Sequence, residues 1–247
     1  MTVPAAASSA FYIRFAPGQV PDAQVLLDFL QQDTDTERIF RVTYRSRDDD
    51  WLELLSSGLT FELCGLSSAL PMPVVETRYG LAEDMDLSAA GWLRLRPGDH
   101  LSGGRGQVPV VRVMAGLALG LLDLPGATGV VWEPARTLMS ADHFRRILPG
   151  WLNGGAFPVL GLTALIRQES GVISTYGLYF FAGLELRIDP ILAKQPGMAG
   201  KIALRLIHSL VEGWRVDGPV EVQGPDGEML GVYPEEGGKI LRVCRAG

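Results

Sequence analysis

Residues 157–190 read FPVLGLTALIRQESGVISTYGLYFFAGLELRIDP, and the fold class turns on how this stretch is divided. Val159 to Ile166 is almost unbroken apolar, Val172 to Phe181 is rich in β-branched and aromatic side chains, and Leu184 to Ile188 alternates apolar with charged. Runs of this length and composition predict three strands. Gln168-Glu169-Ser170-Gly171 forms a turn cluster, and Ala182-Gly183 a two-residue link of the hairpin kind, because glycine reaches positive φ without a Cβ clash. Three consecutive antiparallel strands are expected. The middle one wants cover on both faces and is expected at the centre of a sheet. The third points Leu184, Leu186 and Ile188 one way and Glu185, Arg187 and Asp189 the other, which places it nearer an edge or an open face.

With 247 residues, 47% of them hydrophobic, the chain can bury a core large enough to fold without staples. A net charge of -6 argues against general binding of nucleic acid or anionic membranes, which relies on a basic surface. Two cysteines, Cys64 and Cys244, make no disulfide framework and point to a reducing, cytoplasmic setting. The opening MTVPAAASSA has neither a basic start nor a continuous apolar run, so residues 1–10 read as a loose tail and not a secretory signal. No stretch has the length of a membrane span.

Further strands are expected at Phe11 to Phe15, Ile39 to Tyr44, Leu59 to Leu66, Trp92 to Leu95, Gly129 to Trp132, Val216 to Val222, Glu228 to Tyr233 and Lys239 to Val243. A helix opens at Pro21-Asp22 with Val25, Leu26 and Phe29 inward, and Ser140 is placed to cap another from Ala141. Tyr79 to Ala90 reads as an acidic linker or short helix. The two main helices are Pro109 to Leu122, apolar nearly all round, and Gly197 to Gly213, which carries Lys201, Arg205, His208 and Glu212 on its wet face. The expected architecture is α+β: mixed, mostly antiparallel sheet packed by these two helices. Residues 11–247 are read as one domain with sub-halves 11–150 and 151–247, whose similar order of elements suggests a pseudo-duplication.

Thr175-Tyr176-Gly177-Leu178, followed by Phe181, Glu185 and Leu186, stands between the Val130-Val131-Trp132 strand and the Val216-Asp217-Gly218 turn. In this order the residues resemble the bacterial family catalogued as domain of unknown function 4261, over roughly residues 128–222. The chain departs from the family pattern at Phe181-Ala182, where a Phe-Gly pair is expected. The resemblance implies an α+β domain in a bacterial protein, carries over no catalytic residues, and gives an accessory, partner-binding setting.

Asp99 to Gly106 is the most glycine-dense segment and leads into the Pro109 helix, where backbone N–H groups can wrap an anion. Its spacing fits neither the P-loop nor the dinucleotide fingerprint. The candidate ligand-binding set is His100, Ser102, Gly103, Gly104, Arg105 and Gly106. His100, His143 and His208 have no second ligand at metal-binding spacing, so neither a metal nor another cofactor is expected. Asp99, His100 and Ser102 have the residue types of an acyl-transfer site, but neighbouring positions do not make a triad and no G-x-S-x-G elbow exists. Cys64 reads as a small buried hydrophobe, and a cross-strand ion pair accounts for Glu185 and Arg187. The apolar, glycine-broken strip Trp151 to Pro158 would suit a partner surface if exposed.

The first expectation is a non-enzymatic protein-binding or accessory domain whose partner is another protein or a second copy met through a sheet edge. The alternative is a small-molecule or phosphate binder at residues 102–106, with a hydrolase third.

Overall fold

A computed structural model describes residues 9–32, 40–82, 84–101, 103–104, 106–194 and 197–246. The chain divides into two compact units, residues 1–155 and 156–247. Each is α+β, built on its own mixed, mostly antiparallel sheet.

In the first unit the strands are β1 (Phe11–Phe15), β2 (Arg41–Arg45), β3 (Trp51–Ser56), β4 (Leu59–Cys64), β5 (Thr77–Tyr79), β6 (Gly91–Pro97), β7 (Ala127–Trp132) and β8 (Thr137–Ser140). They lie in the order β2-β3-β4-β6-β1-β7-β8-β5, and only the β5–β8 pair is parallel. The helices are α1 (Ala23–Gln32), α2 (Val108–Leu121) and α3 (Ala141–Leu152). β1 is central because both of its faces are covered. Phe11, Ile13 and Phe15 are fully buried on one side, where the Phe11 ring meets Trp132 at 4.5 Å and Phe144 of α3 at 5.9 Å. On the other side Tyr12 joins Ala10, Trp92, Val131 and Leu138, covered by Leu70, Val75, Leu81, Met85, Leu87 and Ala90 of the segment before β6. Among its described residues the stretch Tyr79 to Ala90, expected as a linker or short helix, holds the end of β5 and no helix, and it lies as a covering strap.

α2 runs as its apolar composition predicts, burying Val110, Val111, Met114, Leu117 and Leu121. Ser140 caps α3, accepting from His143 N–H, and the helix continues to Leu152 through Pro149. α1 starts where Asp22 accepts from Val25 N–H at 2.8 Å. Leu26 is buried, but Val25 is exposed and not inward as expected. The strands β3, β5 and β8 are additions to the expected set. In the strip Trp151 to Pro158, Trp151, Phe157 and Pro158 are buried, Leu152 is half-buried and residues 153–156 are exposed, so its large side chains are mostly covered.

The second unit contains α4 (Val159–Leu162), β9 (Ala164–Arg167), β10 (Ile173–Tyr176), α5 (Tyr179–Ala182), β11 (Glu185–Ile188), α6 (Met198–Val211), β12 (Val220–Gln223), β13 (Met229–Glu235) and β14 (Ile240–Arg245). The sheet order is β12-β13-β14-β11-β10-β9. The three expected antiparallel strands β9, β10 and β11 are present but shorter. The first loses its opening to the helical turn α4. The second stops at Tyr176, before Gly177 at φ 88°. The Ala182-Gly183 hairpin link is instead the end of α5, closed by Gly183 at φ 76°. Placement also differs from expectation. β11 lies inside the sheet, paired in parallel with β14, and β10 is next to the edge strand β9. α6 buries Ala199, Ile202, Ala203, Leu206, Ile207 and Leu210, while the sheet contributes buried Leu186, Ile188, Leu230, Val232, Leu241 and Val243.

The tightest backbone approach in the first sheet is at Gly129, where an added Cβ would sit 2.5 Å from the Met139 carbonyl oxygen of β8. A backbone atom inside a ladder cannot move aside cheaply. Gly129→Ala is therefore expected to destabilise the chain by about 1–3 kcal/mol. Urea unfolding should show a lower midpoint at unchanged slope; an unaltered midpoint would contradict the packing described.

Candidate functional site

The glycine-rich loop begins in a single 3-10 turn, Asp99–Leu101. His100 is exposed, with Nε2 3.3 Å from Thr60 Oγ1. Arg96 holds Asp99 at 3.3 Å and also pairs with Glu62 across the β4–β6 ladder. Leu101 N–H donates to Gly98 O, Gly104 N–H to Leu101 O and Gln107 N–H to Gly104 O, each at 2.9 Å. Three N–H groups are thus committed to successive tight turns. Gly103 is exposed, and Gly104 and Gly106 are half-buried. Ser102 and Arg105, expected to supply a hydroxyl and a charge, lie outside the described residues.

Of the residues that carried the family resemblance, Thr175, Gly177, Glu185 and Leu186 meet at the fork between β10 and β11. Backbone pairing stops after Ser174↔Arg187. From there the Thr175 hydroxyl takes the place of a carbonyl, accepting from Leu186 N–H at 2.7 Å and donating to Glu185 Oε2 at 2.5 Å. Glu185 Oε1 accepts from Gly177 N–H at 2.9 Å and Tyr179 N–H at 3.1 Å, so one carboxyl closes the fork and holds the start of α5. Burial raises the Glu185 pKa above the usual glutamate range against the pull of these hydrogen bonds. Arg187, on the same strand face, pairs instead with Glu235 at 3.3 Å and Glu236 at 3.4 Å. The cross-strand ion pair expected for this strand belongs to Arg187; Glu185 is a structural lock.

Burial also pushes the Cys64 thiol up, opposed by the guanidiniums of Arg94 and Arg96, which leaves it protonated at neutral pH. His143 stacks on Tyr79 at 5.4 Å with Arg146 Nη2 2.8 Å from its Nδ1, and His208 is half-buried on α6. Among the described residues no three His, Cys, Asp or Glu side chains gather as a metal site. No described helix is long and apolar enough to cross a membrane.

An open groove of about 430 Å³ lies in the second unit. It is lined by Arg205, Leu206 and Ser209 of α6, by Glu212 and Trp214 just beyond the helix, and by Val222 and Gln223 of β12. β12 ends the sheet, so nothing in its own ladder pairs its outer side. Which groups point outward follows from one bond. Gly224 N–H donates to Glu228 O at 2.7 Å, in register with Val222↔Leu230 and Val220↔Val232. An antiparallel ladder alternates bonded and non-bonded pairs, so Val220 and Val222 face β13 while Glu221 and Gln223 turn their N–H and C=O outward. Val220 is 37% exposed, and Glu221 and Gln223 are exposed as well. The site therefore combines backbone groups left unpaired among the described residues with an adjoining, partly apolar groove. The sequence carried a signal for the edge strand: the alternating Val-Glu-Val-Gln is flanked by Pro219 and Pro225, and proline is confined to sheet edges.

Comparison with protein-family models, with curated proteins and with solved structures finds no match to the chain.

Glu185→Ala leaves the Gly177 and Tyr179 N–H groups and the Thr175 hydroxyl without their acceptor, and should destabilise by about 2–3 kcal/mol. The pH dependence has a definite sign. With its folded pKa raised, Glu185 contributes stability that is fully present below the unfolded pKa and lost as pH rises through the folded one. Denaturant titrations over that window should show a falling contribution in the parent chain that Glu185→Gln abolishes; equal slopes in both would refute it.

Proposed function

We infer that the chain is a protein-binding domain of the bacterial cytoplasm, without a catalytic centre of its own, and that it acts through the open edge of β12 and the groove beside it. The observation that supports this most is the pairing of two features along one line: outward N–H and C=O groups at Glu221 and Gln223, and a groove of about 430 Å³ directly alongside. An extended segment added to such an edge gains backbone hydrogen bonds, and its alternate side chains enter the neighbouring groove. Leu206, Trp214 and Val222 suit apolar side chains there, while Arg205 and Glu212 are positioned to read charge at its two ends.

Several features fit a binding role better than a catalytic one. Glu185 has its carboxyl oxygens engaged by Thr175, Gly177 and Tyr179, and Cys64 is held as a thiol by burial. The resemblance to the uncharacterised bacterial family points the same way, toward an accessory component.

Glu221→Pro provides the test. It removes one outward donor while leaving every N–H that faces β13 in place, and edge strands tolerate proline. Affinity capture from host extract with the tagged parent chain should retain a protein set that the variant, folded by its thermal melt, loses. Capture that is the same for both chains would overturn the assignment to this edge.

A further inference from the structure

We propose that the occupant of the β12 edge is the β12 strand of a second copy of this chain, paired antiparallel about a two-fold axis at Val222. This rests on the binding reading above and names its partner. It follows from register, pattern and charge.

Register comes first. A self-paired antiparallel edge must set outward-facing residues opposite one another. Three alignments do so. Setting Glu221 opposite Glu221 of the second copy places two carboxylates directly across from each other, which is destabilising, and sets Gln223 against Pro219, which has no N–H to donate. Setting Gln223 opposite Gln223 sets Glu221 against Pro225, again without a donor. The third alignment sets Glu221 opposite Gln223 and Gln223 opposite Glu221, with Val222 facing Val222 on the axis. It alone gives two complete bonded pairs, and it places a carboxylate beside an amide that can donate to it.

The pattern of β12 fits its own groove. Val220 and Val222 share the face that looks toward α6, because their ladder partners Val232 and Leu230 are buried there. In the third alignment Val220 and Val222 of the second copy enter on that same face, beside Leu206, Trp214 and Val222 of the groove. Each strand thus serves as template and guest.

Charge closes the argument. Lys201 Nζ lies 3.2 Å from Asp226, and Arg205 Nη1 donates to Gly224 O at 3.2 Å, so α6 runs antiparallel to β12 with Arg205 level with Gly224. Glu212, seven positions further along α6, is about 10 Å away, a span of roughly three strand residues, and so lies level with Val220 and Glu221. The two-fold axis brings Gly224 of the second copy level with Val220. Arg205 of each copy therefore faces the Glu212 end of the other groove, a self-complementary arrangement across the seam.

A four-residue edge with its groove belongs at the small end of interface sizes, so the dimer should be reversible, with a dissociation constant on the order of micromolar. Sedimentation velocity with light scattering across a concentration series should show monomer passing to dimer. Glu221→Pro should weaken the dimer at least about tenfold while retaining the melting transition. Arg205→Glu should also weaken it, and Arg205→Glu combined with Glu212→Arg should recover it, because the charges exchange ends. Recovery in the double variant separates a contact across the seam from damage to the Arg205–Gly224 bond. A parent chain that stays monomeric at hundreds of micromolar, or a dimer indifferent to all three variants, would overturn the proposal. A monomeric chain whose host partner is lost on Glu221→Pro overturns the second copy and leaves the binding edge standing; a monomer whose capture is unaffected overturns both.

Discussion

One hydrogen bond fixes the parity of the outer sheet in the second unit: Gly224 N–H to Glu228 O. In an antiparallel ladder the choice of which residues bond inward is binary, and once made at one pair it propagates along the strand. Here it turns Val220 and Val222 toward β13 and leaves Glu221 and Gln223 facing out. A slip of one residue would present the valines' backbone at the edge, move their side chains off the α6 face and set Glu221 and Gln223 over the core. The α6 stripe and the groove depend on that parity. Lys201–Asp226 and Arg205–Gly224 tie the helix to the same turn, so helix and strand keep a common level.

The fork between β10 and β11 shows how side chains can end a ladder without leaving it unsatisfied. Thr175 substitutes its hydroxyl for a carbonyl, and Glu185 supplies an acceptor to two N–H groups that have left the sheet. Both residues were visible in the sequence as part of an ordered motif, but alternation alone assigned Glu185 to a wet strand face. A carboxyl that turns back to meet the start of a helical turn leaves no mark in strand periodicity. The signal that could have found it is the glycine at 177, whose φ of 88° takes the chain out of the ladder.

Elements set by local pattern were legible. α2 and α6 follow from apolar spacing, the α3 cap from Ser140, and β13 and β14 from short alternating runs between glycine turns. Neighbour relations were less so, because they depend on contacts distant in sequence. β11 read as an edge strand since it alternates apolar and charged residues, yet β14 pairs with it in parallel, and Arg187 and Arg242 find carboxylate partners on the open face. Charged residues on one face mark exposure of that face and say nothing of lateral neighbours. β3 was missed for a related reason: it follows a run of charged residues, although Leu52 and Leu54 alternate into the core. The groove could not be read at all, as it needs α6 and β12 at a known separation.

The prolines at 219 and 225 bear on why an open edge is tolerated. A long, flat, unpaired strand is a template for indefinite pairing, and proteins blunt such edges with proline, charge or short length. β12 uses all three: four residues, Glu221 on the outer face, and a residue without a donor at each end. The same features that stop growth also select. Between the two prolines lie only two outward donors, and of the self-paired alignments one satisfies both, so on the proposed self-pairing a second copy is held in a single register. On the same proposal, a device that protects the edge from aggregation also gives it specificity, since a shifted second copy sets proline where a hydrogen bond is needed.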